Sequence, residues 1–162
     1  MGLDPGTRVA GYGVVDTAGS RRHVYVDCGL LKAAGDDHAA RIHEICQGLA
    51  ELLGEFRPAA VAMECAYQGV NAQSGLKLAE ARGALRLICQ QHGVPVSEYQ
   101  PSTIKATVVG RAKATKAEVA GRVAMVFGLQ REPASDAADG LAAALCHADR
   151  AHGLAVWRGG AR

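Results

Sequence analysis

The segment MGLDPGTRVAGYGVVD, residues 1–16, begins the sheet that we predict for this chain. Residues 9–16 are rich in β-forming side chains and are punctuated by glycine, a pattern typical of a strand. A shorter segment, residues 1–4, precedes Pro5 and Gly6, which indicate a turn. Downstream, residues 22–28 carry Val24 and Val26 in alternation and predict a further strand. These pieces favour an antiparallel meander, with residues 17–20 as the turn between its longer strands.

The hydrophobic period changes after this meander. Residues 38–56 carry apolar side chains at helical spacing, and Pro58 ends that helix. An unbroken apolar run, residues 59–63, then predicts a strand buried on both faces and terminates in Glu64. Further segments predict helices at 72–91, 101–109 and 116–127, a strand near 93–97, a basic loop at 110–115, and a last helix from about Ser135 to about His152. This order predicts an α/β fold in which the meander continues into a parallel pair of strands.

Composition narrows the classes of protein further. A chain of 162 residues fits one domain, which we place at residues 1–153, with a flexible tail at 154–162. No apolar run approaches the roughly 20 residues of a membrane span. The five cysteines form no CxxC pair, so free thiols in a reducing compartment are expected. We therefore expect a cytoplasmic protein without a membrane partner.

Charge is distributed unevenly along the chain. The formal net charge is only +2, but residues 77–131 hold nine Lys or Arg against three Glu, a net of +6. Such asymmetry indicates a polyanionic partner for the middle segment, with a solvated basic helix face as the alternative.

Four carboxylates occupy positions that local structure does not require. Asp4 and Glu64 each end a predicted strand, and Asp136 and Asp139 are spaced so that both project from one face of the last helix. Simpler explanations exist for three of them, because Asp4 could serve in a turn and the helix dipole favours acidic residues such as Asp136 and Asp139 in the first turns. Glu64 is harder to explain in this way, because five small or apolar residues precede it. If the four converge, a hard divalent cation would offset their mutual repulsion. Two Mg²⁺ ions can activate a water and stabilise the leaving oxygen of a phosphodiester.

Four motifs in this chain closely resemble the RuvC family of Holliday-junction resolvases. They are GLDPGTRVAGYGV at residues 2–14, NAQSGLKLAEARG at 71–83, KATVVG at 105–110 and DAADGLA at 136–142. The resemblance implies a ribonuclease-H-like fold with a mixed five-stranded sheet flanked by helices. It also implies a homodimer that makes paired, metal-dependent cuts in four-way DNA junctions during recombination and repair. Mg²⁺, with Mn²⁺ as the alternative, would bind as two ions per subunit.

The resemblance also assigns roles to particular residues. Asp4, Glu64, Asp136 and Asp139 match the metal-binding carboxylates of the family. Lys105 and Lys116 match basic residues near the scissile phosphate, and Tyr67 stands where an aromatic side chain contacts bases at the junction. Tyr67 replaces the more frequent Phe, which preserves stacking, and Cys65 replaces an expected Gln. The family works with a branch-migration complex of the RuvA and RuvB type.

Other residues are assigned more loosely. The helix at 72–91 carries small side chains that suit dimerisation or internal packing equally well. Candidate phosphate contacts are Arg8, Lys77, Arg82, Arg111 and Lys113.

Three alternatives remain open at this stage. The first is an ATP-binding domain of the actin and sugar-kinase class, since Asp4-Pro-Gly-Thr7 fits its phosphate loop, although 162 residues are too few for two lobes. The others are an RNA-processing nuclease of the same fold and a junction-binding module without catalysis.

Overall fold

The computed structural model describes residues 1–17, 23–65 and 72–159, with side chains as far as residue 151. Within these ranges, five strands form one sheet in the order β3-β2-β1-β4-β5. The strands are β1 (Gly2–Asp4), β2 (Val9–Asp16), β3 (Val24–Lys32), β4 (Val61–Glu64) and β5 (Val96–Tyr99). The helices are α1 (His38–Phe56), α2 (Ala72–Gln91), α3 (Pro101–Val109), α4 (Lys116–Phe127) and α5 (Ser135–Gly159).

The sheet is mixed, which confirms the predicted architecture. β1, β2 and β3 pair in antiparallel register, whereas β1 with β4 and β4 with β5 pair in parallel. The carboxyl ends of β1, β4 and β5 therefore lie along one edge of the sheet. In open α/β sheets, this is the edge at which ligands bind.

Helices cover both faces of the sheet. On one face, Leu3 and Met63 pack in a core with Leu49 of α1 and Leu85 of α2. The other face contacts α3, α4 and α5 in a second core, to which β4 contributes Ala62. Because adjacent residues of β4 point to opposite faces, its uninterrupted apolar run fills both cores at once.

The predicted element boundaries hold closely, with a few differences. The strand predicted at residues 22–28 spans Val24–Lys32, and the strand predicted near 93–97 spans Val96–Tyr99. β4 begins at Val61, two residues later than expected. α5 continues to Gly159, beyond the end expected near His152. The predicted turn at residues 17–20 falls largely outside the described residues, and the flexible tail stays a prediction. None of the described helices is long and apolar enough to span a bilayer.

Glycines allow α5 to approach the sheet at backbone distance. A Cβ atom at Gly13 of β2 would lie 2.5 Å from Cα of Leu141, and one at Gly140 would lie 2.7 Å from the backbone carbonyl carbon of Tyr12. Both separations are far inside van der Waals contact. The central helix of the second core therefore depends on the absence of side chains at these positions.

We predict that Gly13→Ala destabilises the protein by about 1–3 kcal/mol, because α5 must move away from β2 to admit the methyl group. The matched control is Gly54→Ala in α1, where an added Cβ meets no atom within 4 Å. Its effect should be neutral or stabilising by up to about 1 kcal/mol. Thermal and urea unfolding of both variants check this; equal stabilities would contradict the close packing.

Candidate metal centre

Three carboxylates from two distant parts of the chain meet at the carboxyl end of β1. Asp4 is the last residue of β1, and Asp136 and Asp139 lie near the start of α5. One oxygen atom from each side chain lies within 4.8 Å of the other two. Asp136 and Asp139 are three residues apart on α5 and therefore lie on one face of the helix, as predicted.

A glycine in β2 allows this meeting. Asp4 is paired with Gly11 in the antiparallel ladder, so Gly11 is the residue beside it in the sheet. A Cβ atom at Gly11 would overlap the backbone carbonyl of Asp136. Because Gly11 has none, the start of α5 rests on the strand directly beside Asp4.

Glu64 lies beside these three carboxylates at the end of β4. The charge of Glu64 contributes to raising the pKa of Asp4. The pKa of Glu64 is itself raised by burial and, to a smaller extent, by the charge of Asp139. Its oxygens do not join the group that meets the 4.8 Å spacing within the described residues. The predicted convergence therefore has three members in close contact and a fourth within electrostatic range.

The shared site makes ionisation costly. Burial, followed by repulsion from Asp139 and Glu64, raises the pKa of Asp4 from 3.8 to about 7. Burial is also the main cause of the raised pKa of Glu64. A cation placed among these carboxylates would favour the charged forms of Asp4 and Glu64, and hard divalent ions prefer oxygen ligands.

An ammonium group already neutralises part of this charge. Nζ of Lys116 donates a hydrogen bond of 2.7 Å to Oδ2 of Asp139, and this contact is the main cause of the raised pKa of Lys116. Lys116 is the first residue of α4, whose start is fixed by a capping box between Thr115 and Glu118. Lys105, from α3, is half-buried, and its charge opposes the rise in the pKa of Glu64 that burial causes. Both predicted lysines thus act electrostatically on the carboxylates.

The predicted DNA contacts lie in several environments. Arg8, Lys77 and Lys113 are exposed, whereas the exposed Arg111 forms an ion pair with Glu118. These assignments stay predictions. Tyr67 lies outside the described residues.

Arg82 differs from the other predicted contacts. It is 8% exposed, and its guanidinium bonds the backbone carbonyl of Glu64 and the carboxylate of Glu98. Nη1 and Nη2 of Arg82 are thus already hydrogen-bonded within the protein, and the phosphate contact assigned to this residue stays a prediction. Sequence reasoning missed the role of Glu98, since a lone glutamate in a four-residue strand gives no signal of a buried partner on another element.

The raised pKa of Asp4 generates a pH prediction for the metal-free protein. The folded state keeps a proton on Asp4 up to about pH 7, while the unfolded state loses it near 3.8. Raising the pH between these values therefore destabilises the folded state. We expect Asp4→Asn to be more stable than the native chain at about pH 8, by on the order of 1–3 kcal/mol, and the gain to shrink at about pH 5.

Thermal unfolding in a metal chelator at both pH values measures this difference. Asp36→Asn, at an exposed position, is the matched control and should change little at either pH. A gain for Asp4→Asn that is identical at both pH values would contradict the assignment of the raised pKa to Asp4.

Comparisons with known proteins agree with this architecture. The sequence model of the family "Crossover junction endodeoxyribonuclease RuvC" matches residues 1–147. Proteins of that name from Neisseria meningitidis and Halorhodospira halophila are 44% and 46% identical to the chain, covering 96% and 91% of it and 88% of each relative. The structure of Thermus thermophilus RuvC in complex with Holliday junction substrate superposes with a TM-score of 0.85 at 35% identity, covering 93% of this chain and 92% of that one. The resemblance drawn from the four motifs is thereby confirmed, and the chain belongs to the family of RuvC crossover junction endodeoxyribonucleases.

Proposed function

We propose that this chain is a structure-specific endonuclease that resolves four-way DNA junctions by paired, metal-dependent phosphodiester hydrolysis in recombination and repair. The observation that carries the proposal is the meeting of Asp4, Asp136 and Asp139 at the ligand-binding edge of the sheet. The Thermus thermophilus relative, whose structure holds a Holliday junction, supports the choice of substrate. A junction-binding module without catalysis would gain nothing from burying these carboxylates together.

Mg²⁺, or Mn²⁺ in its place, fits the donor set, because the centre offers only carboxylate oxygens and these ions prefer oxygen ligands. Asp4, Asp136 and Asp139 would hold the metal, with Glu64 completing a site for two ions. Ions bound there would supply an activated water and stabilise charge on the leaving oxygen.

The protein's own residues position and neutralise the phosphate. Lys116 presents a side chain that is 69% exposed beside Asp139, so its ammonium can reach a phosphate oxygen at the edge of the centre. Lys105 adds a second positive charge near Glu64. Both residues would stabilise the negative charge that grows on the scissile phosphate.

Binding of the DNA arms would rest on phosphate contacts. Arg8, Lys77 and Lys113 are exposed and supply positive charge, and Arg111 lies in the same basic loop as Lys113. Contacts to phosphates hold the junction by its shape and carry little sequence information. Tyr67 would stack on bases at the point where strands exchange.

Paired cutting requires two active sites, which a two-fold homodimer provides. α2 offers a suitable surface, because Leu76 and Leu87 are 67% and 56% exposed and Gly83 has open space above it. Spacings of seven and four residues place these three on one face of the helix. Two copies of α2 could approach closely across the glycine and bury the leucines.

The cellular setting follows from the same proposal. A branch-migration complex of the RuvA and RuvB type would deliver the junction. All five cysteines are free thiols, which is typical of the reducing cytoplasm.

We predict that Asp4→Asn, Glu64→Gln, Asp136→Asn and Asp139→Asn each lower the rate of junction cleavage by at least about 100-fold, because each removes charge that holds the metal. Binding of a synthetic four-way junction should stay within about 3-fold of native, since phosphate contacts carry affinity. Cleavage and electrophoretic-mobility assays, run beside a linear duplex, measure both quantities. Glu51→Gln, exposed on α1, is the control. Variants that lose binding but still cut would contradict the metal-site assignment.

The proposed homodimer generates a prediction about the oligomeric state of the protein. Leu87→Glu should convert the dimer to monomers, because it places a charge in the surface that two copies of α2 would bury. The matched control is Met125→Glu on α4, whose side chain is equally apolar and 70% exposed. Sedimentation velocity gives the masses directly. If both variants stay dimeric, or if the native chain is a monomer, the proposed interface is wrong.

A further inference from the structure

Arg82 is the one charged residue of the described chain that is buried, at 8% exposure. It lies in the middle of α2, on the face that also buries Ala81 and Leu85. Burying a guanidinium is costly unless each end of its fork finds a partner. Its partners therefore indicate why an arginine stands at this position.

One partner is a backbone group that the sheet itself cannot satisfy. In the parallel ladder between β1 and β4, Gly2 pairs with Ala62 and Leu3 with Met63, and the Ala62 amide donates to the Met1 carbonyl. Continued by one step, this ladder would require the amide of residue 5 to donate to the carbonyl of Glu64. Residue 5 is proline, which has no N–H.

The guanidinium supplies the missing donor. Nη1 of Arg82 donates to the carbonyl oxygen of Glu64. On the other side of β4, the ladder continues normally, since the Cys65 amide donates to the Tyr99 carbonyl at 2.8 Å. The end of β4 is therefore held on one side by β5 and on the other by a side chain from α2.

The second partner keeps the guanidinium in place. Nη2 of Arg82 donates to Oε1 of Glu98 on β5 at 2.8 Å, and the more exposed Arg86 contacts the same oxygen at 3.3 Å. Glu98 is thus an anchor that aims the fork of Arg82 at β4. A planar guanidinium can make both bonds at once, which an ammonium group cannot do in the same geometry.

We propose that Arg82 is a positioning residue for the metal centre, which replaces the amide that Pro5 lacks and so fixes the peptide from which the Glu64 carboxylate projects. The inference rests on the proposed function only in taking Glu64 as a group of the metal centre. It assigns to Arg82 no contact with DNA or with the scissile phosphate. Loss of Arg82 should let the end of β4 move and should weaken metal binding through Glu64.

The test measures Mn²⁺ binding to the full-length protein by isothermal titration calorimetry, without DNA. Arg82→Met should weaken Mn²⁺ binding by about 10-fold, the effect expected for a group that orients a metal-site residue. In a Glu64→Gln background, the same change should cost less than about 2-fold, because the group on which Arg82 acts is already lost. Arg86→Met, which removes an exposed arginine bound to the same glutamate, should cost less than about 2-fold in either background.

Arg82→Lys is the second variant and covers the case in which Arg82→Met does not fold. A lysine can satisfy the Glu64 carbonyl alone, so it should recover part of the lost affinity. The inference would be overturned if Arg82→Met weakened Mn²⁺ binding equally with Glu64 present and in the Glu64→Gln background. It would also be overturned if neither Arg82→Met nor Arg82→Lys weakened binding. Junction cleavage by the native chain is scored separately: a chain that shows the coupling but does not cut junctions overturns only the proposed function. A chain that cuts without the coupling overturns only the role of Arg82.

Discussion

The contact on which the rest of the structure depends is the backbone-to-backbone approach of α5 to the antiparallel strands β1 and β2. Gly11 and Gly13 leave the surface of β2 bare, and Gly140 does the same on the helix. A methyl group at any of these positions would overlap backbone atoms, which cannot swing aside as a flexible side chain can. Close packing of this kind fixes both the distance of α5 from the sheet and its rotation about its own axis. It therefore determines where Asp136 and Asp139, in the first turns of α5, lie.

The position of α5 has an electrostatic cost. It brings Asp136 and Asp139 to Asp4, whose pKa rises to about 7 because of burial and the neighbouring carboxylates. Lys116 offsets part of this charge through Asp139, but its own side chain is largely exposed. Electrostatic repulsion of this kind is typical of sites where function opposes stability. The two apolar cores, one on each face of the sheet, hold the elements together against this repulsion.

Sequence patterns predicted the fold well because each element follows one clear rule. The helical periodicity of residues 38–56 and the unbroken run before Glu64 needed no tertiary information. The carboxylates could be selected because each stands where an apolar strand ends or a helix begins. Their spatial convergence could only be inferred from the resemblance, since no local pattern states where α5 crosses the sheet.

Arg82 shows where sequence reasoning ends. In the sequence it stands with Lys77 and Arg86 on a predicted helix, which is why Arg82 was a candidate phosphate contact. Its burial depends on two features: the carbonyl of Glu64, which the sheet leaves without a donor because Pro5 has no N–H, and the location of Glu98 on the adjacent strand. These residues are far apart in the chain and meet only in the folded protein. The need of each buried backbone group for a hydrogen-bond partner explains why they meet.

The position of a bound metal ion tests the role of the carboxylate cluster most directly. Crystals of the protein soaked in Mn²⁺ and measured at an energy where manganese scatters anomalously would locate the ion without reference to the protein atoms. We predict an anomalous peak between Asp4, Asp136 and Asp139, with carboxylate oxygens at about 2.0–2.2 Å from the ion, as expected for a small divalent cation. A peak elsewhere in the protein, with these three carboxylates left bound only to each other and to Lys116, would contradict it.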